Sequence, residues 1–305
     1  MIAALAGGVG AARFLTGLTK LVKEEDLKVI VNTGDDIELF GLHISPDVDI
    51  VTYTLAGIVD ELKGWGIRGD TFRCLGMLKD HGFDTWFGLG DRDLATHLYR
   101  TQRLKQGLTL TQVTDEVCEV LGLKVKVLPM TNDRFETRVT TKEGSMHFEE
   151  YFVRRQAKDE ILGVEFVGAA AAKPSPEVLD AILDADTLIV CPSNPIVSIG
   201  TILSVSGVRD ALKRTNAKVV GVSPIVAGLP IKGPADKMLR SFGVEVSAFG
   251  VAKLYSDILD EFVIDTRDVE KKDAIEKLGV KVKITNSVMK SLEDKVALAK
   301  AVLEN

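Results

Sequence analysis

The first fourteen residues, MIAALAGGVGAARF, admit few folds. Ile2 to Ala6 is a short apolar run that reads as a buried strand. It breaks at Gly7-Gly8-Val9-Gly10, and a helical pattern begins at Ala11. A strand turning through glycines into a helix aims free backbone N–H groups and the positive end of the helix dipole at one point, which suits a phosphate. Gly8, Val9 and Gly10 are therefore candidate anion-binding positions. The dinucleotide fingerprint is incomplete, because Arg13 stands where its third glycine belongs, and no Gly-Lys-Ser/Thr follows to make a P-loop. The other reading is a tight strand–helix junction with no ligand. Arg13, one turn into the helix, suits a phosphate and a neighbouring carboxylate equally well.

The next strand, Lys28 to Val31, ends in Asn32-Thr33-Gly34-Asp35-Asp36, and a second acidic turn follows at Ser45-Pro46-Asp47-Val48-Asp49. In an open parallel sheet, ligands sit beyond the carboxyl ends of the strands, so these turns are expected beside the glycine turn. Four carboxylates on neighbouring loops repel one another unless a cation joins them, and Mg²⁺ bridging carboxylate and phosphate is the common case. Asp36 and Asp47 read as caps of turns or helices. Asp35 and Asp49 are the two expected to serve function.

Helix 1 is expected over about Gly10 to Lys23, and a second helix from about Ile50. Residues 54–122 read as a helical insertion holding Gly64-Trp65-Gly66 and the loop Trp86 to Asp93. Glycines beside an aromatic residue suit a flat ring packed close to backbone. Asp91 or Asp93 is the expected cap of the helix that follows, in which His97 reads as a surface or core-edge histidine. Residues 123–169 switch to period two and read as a small β insertion, with a hairpin around Lys142-Glu143-Gly144-Ser145 that Glu149 to Arg155 extends. The α/β alternation resumes with a helix from Ser175, its expected cap, to Asp184, and with the apolar strands Thr187–Cys191 and Lys218–Val222. Their following loops, 192–200 and 223–237, are rich in Ser, Asn, Gly and Lys, and a closing helix starts at Val288. The fold class is α/β: a doubly wound, Rossmann-like, mostly parallel sheet in a single domain. Its core covers about residues 1–53 and 170–305 and carries a helical insertion and a small β-hairpin insertion.

Composition excludes several function classes. A net charge of −6 over 305 residues argues against nucleic-acid binding but permits a locally positive anion site. Cys74, Cys118 and Cys191 are scattered, which offers no zinc site or disulfide framework and fits a reducing cytoplasm. The apolar runs are too short to span a bilayer, and the N-terminus lacks a basic signal-peptide region, so no membrane partner is expected. Strand-end loops converging on one sheet edge, with hydroxyls, Lys/Arg and carboxylates, suit a nucleotide or diphosphate ester with Mg²⁺.

Together these segments, with Leu89-Gly90-Asp91-Arg92-Asp93-Leu94-Ala95-Thr96-His97, Pro192-Ser193-Asn194-Pro195-Ile196-Val197-Ser198-Ile199-Gly200 and Ser223-Pro224-Ile225, resemble the 2-phospho-L-lactate transferase family of coenzyme F-420 biosynthesis. The resemblance runs through nearly the whole chain in the family's order. It implies a cytoplasmic, homodimeric, Mg²⁺-dependent transferase of the 2.7.8 enzyme class. The acceptor would be the deazaflavin alcohol Fo and the donor a guanosine diphosphate ester, lactyl-2-diphospho-5'-guanosine. The ribityl hydroxyl attacks the phosphorus bearing the lactyl group, and GMP leaves. Bacterial-style members use a phosphoenolpyruvyl or phosphoglyceryl donor, and Phe87-Gly88-Leu89-Gly90-Asp91 leans toward them. The resemblance gives Gly8, Val9 and Gly10 to phosphate and Asp35 to Mg²⁺ or the attacking hydroxyl. It gives Asp49 to Fo and the metal, and Trp86, Gly88 and Asp91 to the acceptor loop. Ser193 and Asn194 would meet the guanosine part, with Ser223 on the next loop. The rival reading is a non-catalytic regulator of the same fold that binds a nucleotide sugar or dinucleotide. A nicotinamide oxidoreductase lacks both the third glycine and a hydride-handling pattern.

Overall fold

The computed structural model describes residues 1–304. Seven parallel strands form one sheet in the spatial order Lys126–Pro129, Leu27–Val31, Ile2–Ala6, Thr187–Val190, Lys218–Val222, Glu261–Asp265 and Lys281–Thr285. Ile2 is in register with Leu27 on one side and Thr187 on the other. The chain builds outward from Ile2–Ala6 to one edge, then returns to the opposite side of that strand. The order therefore reverses between Ile2–Ala6 and Thr187–Val190, and a crevice opens beyond their carboxyl ends. Both faces of the sheet are covered, which is why its strands read as continuous apolar runs.

Helix α1 (Gly8–Leu18) lies on one face, where Phe14, Leu15 and Leu18 are fully buried, each contributing about 2 kcal/mol. It starts two residues earlier than its pattern implies, so Gly8 to Gly10 form its first turn. It stops five residues short of Lys23 because Thr16 and Thr19 turn their hydroxyls back onto the carbonyls of Ala12 and Thr16. Helix α2 (Pro46–Leu55) also starts earlier than expected, with Pro46 in the first-turn position that proline favours. Its first turn therefore holds Asp47 and Asp49. Between the two lies an unanticipated hairpin, Ile37–Leu39 with Leu42–Ile44, turning at Phe40-Gly41, both with positive φ.

The helical insertion holds α3 (Arg73–Asp80), α4 (Asp91–Lys105) and α5 (Leu110–Val120), the last begun by a capping box of Thr109 and Gln112. Gly90 is the N-cap residue of α4, and Asp91 and Asp93 lie inside its first turn. Lys126–Pro129, expected in the β insertion, instead pairs with Leu27–Val31 as an edge strand of the main sheet. Lys124, just before it, and Lys126, at its start, alternate with buried valines, which gives a core strand the look of a hairpin strand. The β insertion is the three-stranded sheet of Glu136–Thr141, Gly144–His147 and Gly163–Val167. Glu150–Arg154 is a wide π-helical turn, not a strand extension. Ser175 caps no helix: its hydroxyl bonds the Pro129 carbonyl, and the helix begins at Val178. The last helix starts at Leu292, four residues after Val288, where Ser291 and Asp294 form its capping box. Among the described residues no helix is long and apolar enough to cross a membrane.

Candidate active site

The reversal of strand order leads into a cavity of about 510 Å³. Gly7 to Gly10 and Arg13 line it from α1, Pro192 to Asn194 from the loop after Thr187–Val190, and Pro224 from the following loop. The N-cap of α1, Gly7, has no side chain, and its N–H reaches Ser193 Oγ at 3.3 Å. A Cβ at Gly10 would lie 2.2 Å from the Pro192 carbonyl oxygen. Glycine at that position is thus required by the close approach of two strand-end loops, before any anion arrives. Asn194, which lines the cavity, accepts at Oδ1 from the Ile196 and Val197 N–H groups and so closes its own loop.

Asp35, Asp47 and Glu149 supply the acidic wall. Asn32 Nδ2 donates to Asp35 Oδ2 at 3.1 Å and to Asp47 Oδ2 at 2.9 Å, so one buried amide holds two carboxylates side by side. Asp35 is 4 % exposed, and its Oδ1 has no hydrogen-bond partner. Burial, then the charges of Asp47, Glu149 and Asp36, hold the Asp35 carboxyl well above the ordinary range. Burial pushes Asp47 up to about 6 against the pull of the Asn32 amide and the Gly8 N–H. It pushes Glu149, 6 % exposed, up to about 8, with Asp47 and Asp36 adding to the shift. Three desolvated carboxylates on one wall, two of them joined through Asn32, have no cationic partner among the described residues. Among the described residues no group of three or more His, Cys, Asp and Glu is placed to hold a metal ion. Mg²⁺ needs none, since it binds through one or two carboxylates and completes its shell with water and phosphate. The bare Asp35 Oδ1 beside Asp47 fits that requirement.

Asp49 has a different environment. Both of its oxygens accept from the buried Arg100 guanidinium, Oδ2 at 3.0 Å from Nη1. Its charge is already answered by Arg100, while Asp35 and Asp47 have no cationic partner among the described residues. Asp49 still faces the cavity, next to Tyr53, Asp93 and His97. Asp36, read as a turn or helix cap, is tied to Ser45 Oγ at 2.7 Å and to His43 Nε2 at 2.9 Å.

The cationic groups stand near α1. Lys232 reaches over Gly64, and the charge of Arg13 adds to burial in lowering its pKa. Neither Arg13 nor Lys232 pairs with a carboxylate among the described residues. Two positive charges without a carboxylate partner beside the N-terminus of an eleven-residue helix suit an anion. The aromatic wall is Trp65, Phe87, Phe148 and Phe152, the last two stacked at 5.6 Å. A Cβ at Gly88 would lie 2.7 Å from Trp65 Cη2, so the flat ring lying on this glycine is the protein's own.

Of the residues expected at a site, Gly8, Val9, Gly10, Arg13, Asp35, Asp49, Gly88, Ser193 and Asn194 meet in this cavity. Trp86, Asp91 and Ser223 do not line it. Trp86 packs edge-on against Phe87, which takes the cavity-facing place. The Asp91 carboxylate accepts from Thr71 Oγ1 and the N–H groups of Arg73 and Cys74, capping α3. Ser223 is fully buried, with its hydroxyl closing a turn onto Ile225. Trp65, whose flanking glycines suited a flat ring, lines the cavity too, and Asp47, His97, Glu149 and Lys232 line it without having been assigned there by sequence. The glycines flanking Trp65 and the loop position of Lys232 were usable signals; Glu149 had none, since its π-turn resembles a strand in pattern.

Comparison with known proteins matches this architecture. The family model described as 2-phospho-L-lactate transferase CofD covers residues 2–300. A phosphoenolpyruvate transferase of Kitasatospora aureofaciens is 46 % identical over 309 residues, spanning 99 % of this chain and 96 % of its own. A 2-phospho-L-lactate transferase of Methanocaldococcus jannaschii is 42 % identical over 308 residues, spanning 100 % of this chain and 97 % of its own. A solved UPF0052-family protein of Bacillus halodurans has the same fold at a TM-score of 0.68, with 18 % identity over 99 % of this chain and 98 % of its own.

Proposed function

Because the chain belongs to the 2-phospho-L-lactate transferase family, CofD, we propose that its cavity joins the deazaflavin alcohol Fo to a phospho-acid carried by a guanosine diphosphate ester. The chain is a transferase of the kind that serves coenzyme F-420 biosynthesis, and a non-catalytic regulator of the same fold is not favoured. One observation carries the reading. A carboxylate pair sharing one amide and two unpaired cations line the same cavity as an aromatic wall.

In this reading the first turn of α1, Arg13 and Lys232 hold the diphosphate, while Ser193 and Asn194 lie along its guanosine end. Asp35 and Asp47 would hold Mg²⁺, which neutralises diphosphate charge when bound. Trp65 and Phe87 flank the acceptor ring, and Asp49, fixed by Arg100, accepts a hydrogen bond from it. The terminal ribityl oxygen attacks the phosphorus bearing the acid, the bond to the GMP oxygen breaks, and the hydroxyl proton passes to the carboxylate cluster. Positioning and charge neutralisation do most of the work, as phosphoryl transfer requires.

The acid is 2-phospho-L-lactate or phosphoenolpyruvate, the two names borne by relatives aligned over the same span. The chain acts as a homodimer in the cytoplasm. Incubation of purified protein with Fo, Mg²⁺ and each guanosine donor in turn, followed by mass spectrometry, tests the proposal. The expected result is a phosphodiester of Fo and one equivalent of GMP with one donor preferred. GMP without an Fo adduct, or no reaction with either donor, contradicts it.

A further inference from the structure

Beyond Arg100, the buried polar chain behind Asp49 is not used by the reaction as described. Arg100 Nη1 donates to Asp49 Oδ2 at 3.0 Å and lies 3.3 Å from His97 Nδ1. Guanidinium nitrogens only donate, so His97 Nδ1 must be the accepting nitrogen, and the imidazole proton sits on Nε2. Nε2 makes no hydrogen bond but lies 3.3 Å from Asp93 Oδ1, an oxygen that accepts from Tyr53 Oη at 2.8 Å. His97 is 1 % exposed and lies on the cavity wall, one helical turn after Asp93 and three residues before Arg100 on α4.

We propose that His97 is a positioning residue for the acceptor. It offers Nδ1 to Arg100, which leaves its proton on Nε2 toward the Asp93 carboxylate, and so fixes the orientation in which Arg100 presents the Asp49 carboxylate to the cavity. Tyr53 locks the far end of the same chain. One face of α4 thus sets the aim of a carboxylate on α2. This rests on the reading that Asp49 meets the acceptor, and the test separates the two.

Two substitutions divide the imidazole. His97→Gln keeps a donor at the Nε2 position and removes the Nδ1 acceptor. His97→Asn keeps an acceptor at the Nδ1 position and removes the Nε2 donor. His97→Gln is expected to raise the KM for Fo roughly tenfold, the loss of one hydrogen bond to a charged group, with donor KM and kcat little changed. His97→Asn recovers most of that loss. In an Asp49→Asn background His97→Gln adds nothing further, because its effect runs through Asp49. Independently, ¹⁵N NMR of the histidine-labelled protein, with four histidines to resolve, is expected to show His97 protonated at Nε2 and bare at Nδ1. A proton on Nδ1, equal effects of Gln and Asn, a loss confined to kcat, or additivity with Asp49→Asn would overturn the proposal. Asp49→Asn with an unaltered KM for Fo would instead overturn the acceptor reading, and the imidazole would still be decided by the spectrum.

Discussion

At the scale of single residues, the site divides its charges by burial. Arg13 and Lys232 are kept unpaired and close together, an arrangement that costs stability unless an anion fills it. Arg13→Ala and Lys232→Ala should each raise the KM for the guanosine donor roughly tenfold while leaving that for Fo unchanged, as steady-state kinetics at fixed ionic strength would show. The carboxylates carry the opposite strain. Glu149 and Asp47 bind protons more tightly folded than unfolded, at about 8 and about 6. As pH rises from about 5 to about 8 the unfolded chain therefore holds fewer protons than the native one, and metal-free stability falls across that window. Thermal unfolding in EDTA should show this fall, Glu149→Gln should flatten it, and added Mg²⁺ should restore stability most at the alkaline end. A stability that climbs with pH in EDTA would reverse the assignment.

At the scale of elements, the glycine turn does more packing than its pattern implies. Gly10 meets the Pro192 carbonyl so closely that a methyl group cannot be inserted without moving a loop. Gly10→Ala should cost about 1–3 kcal/mol in urea unfolding and, by displacing the N-terminus of α1, weaken donor binding as well. The extents of helices were the least legible part of the sequence. The stop of α1 at Leu18 depends on threonine hydroxyls bonding backward, and the start of α2 at Pro46 moved Asp47 and Asp49 from a loop into a first helical turn. That shift decides their roles. On a loop all four acids look equivalent, whereas in the helix Asp47 turns to Asn32 and Asp49 to Arg100, a residue fifty-one positions away. No local pattern announces a partner at that distance. Trp65 and Trp86 both stand beside glycines, and only packing of Trp65 on Gly88 separates them.

At the scale of the whole molecule, alternation of apolar strands and helices made the doubly wound sheet readable, because strands buried on both faces must be continuously apolar. The reversal of strand order beside Ile2–Ala6 then places the glycine turn, the Asn32–Asp36 turn and the Pro192–Gly200 loop at one crevice. The sequence also showed a β insertion but not its limits, since Lys124 and Lys126, alternating with buried valines where an edge strand begins, mimic a hairpin. Glu149 enters the cavity from that insertion, so its role depends on the tertiary fold alone. The account stands on the Asp35–Asp47 pair facing a bound diphosphate, and single-turnover formation of the Fo phosphodiester by Asp47→Asn in saturating Mg²⁺ tests it most directly. The account predicts a rate lower by roughly 10²-fold with Fo affinity, read by fluorescence, unchanged; turnover at the wild-type rate would contradict it.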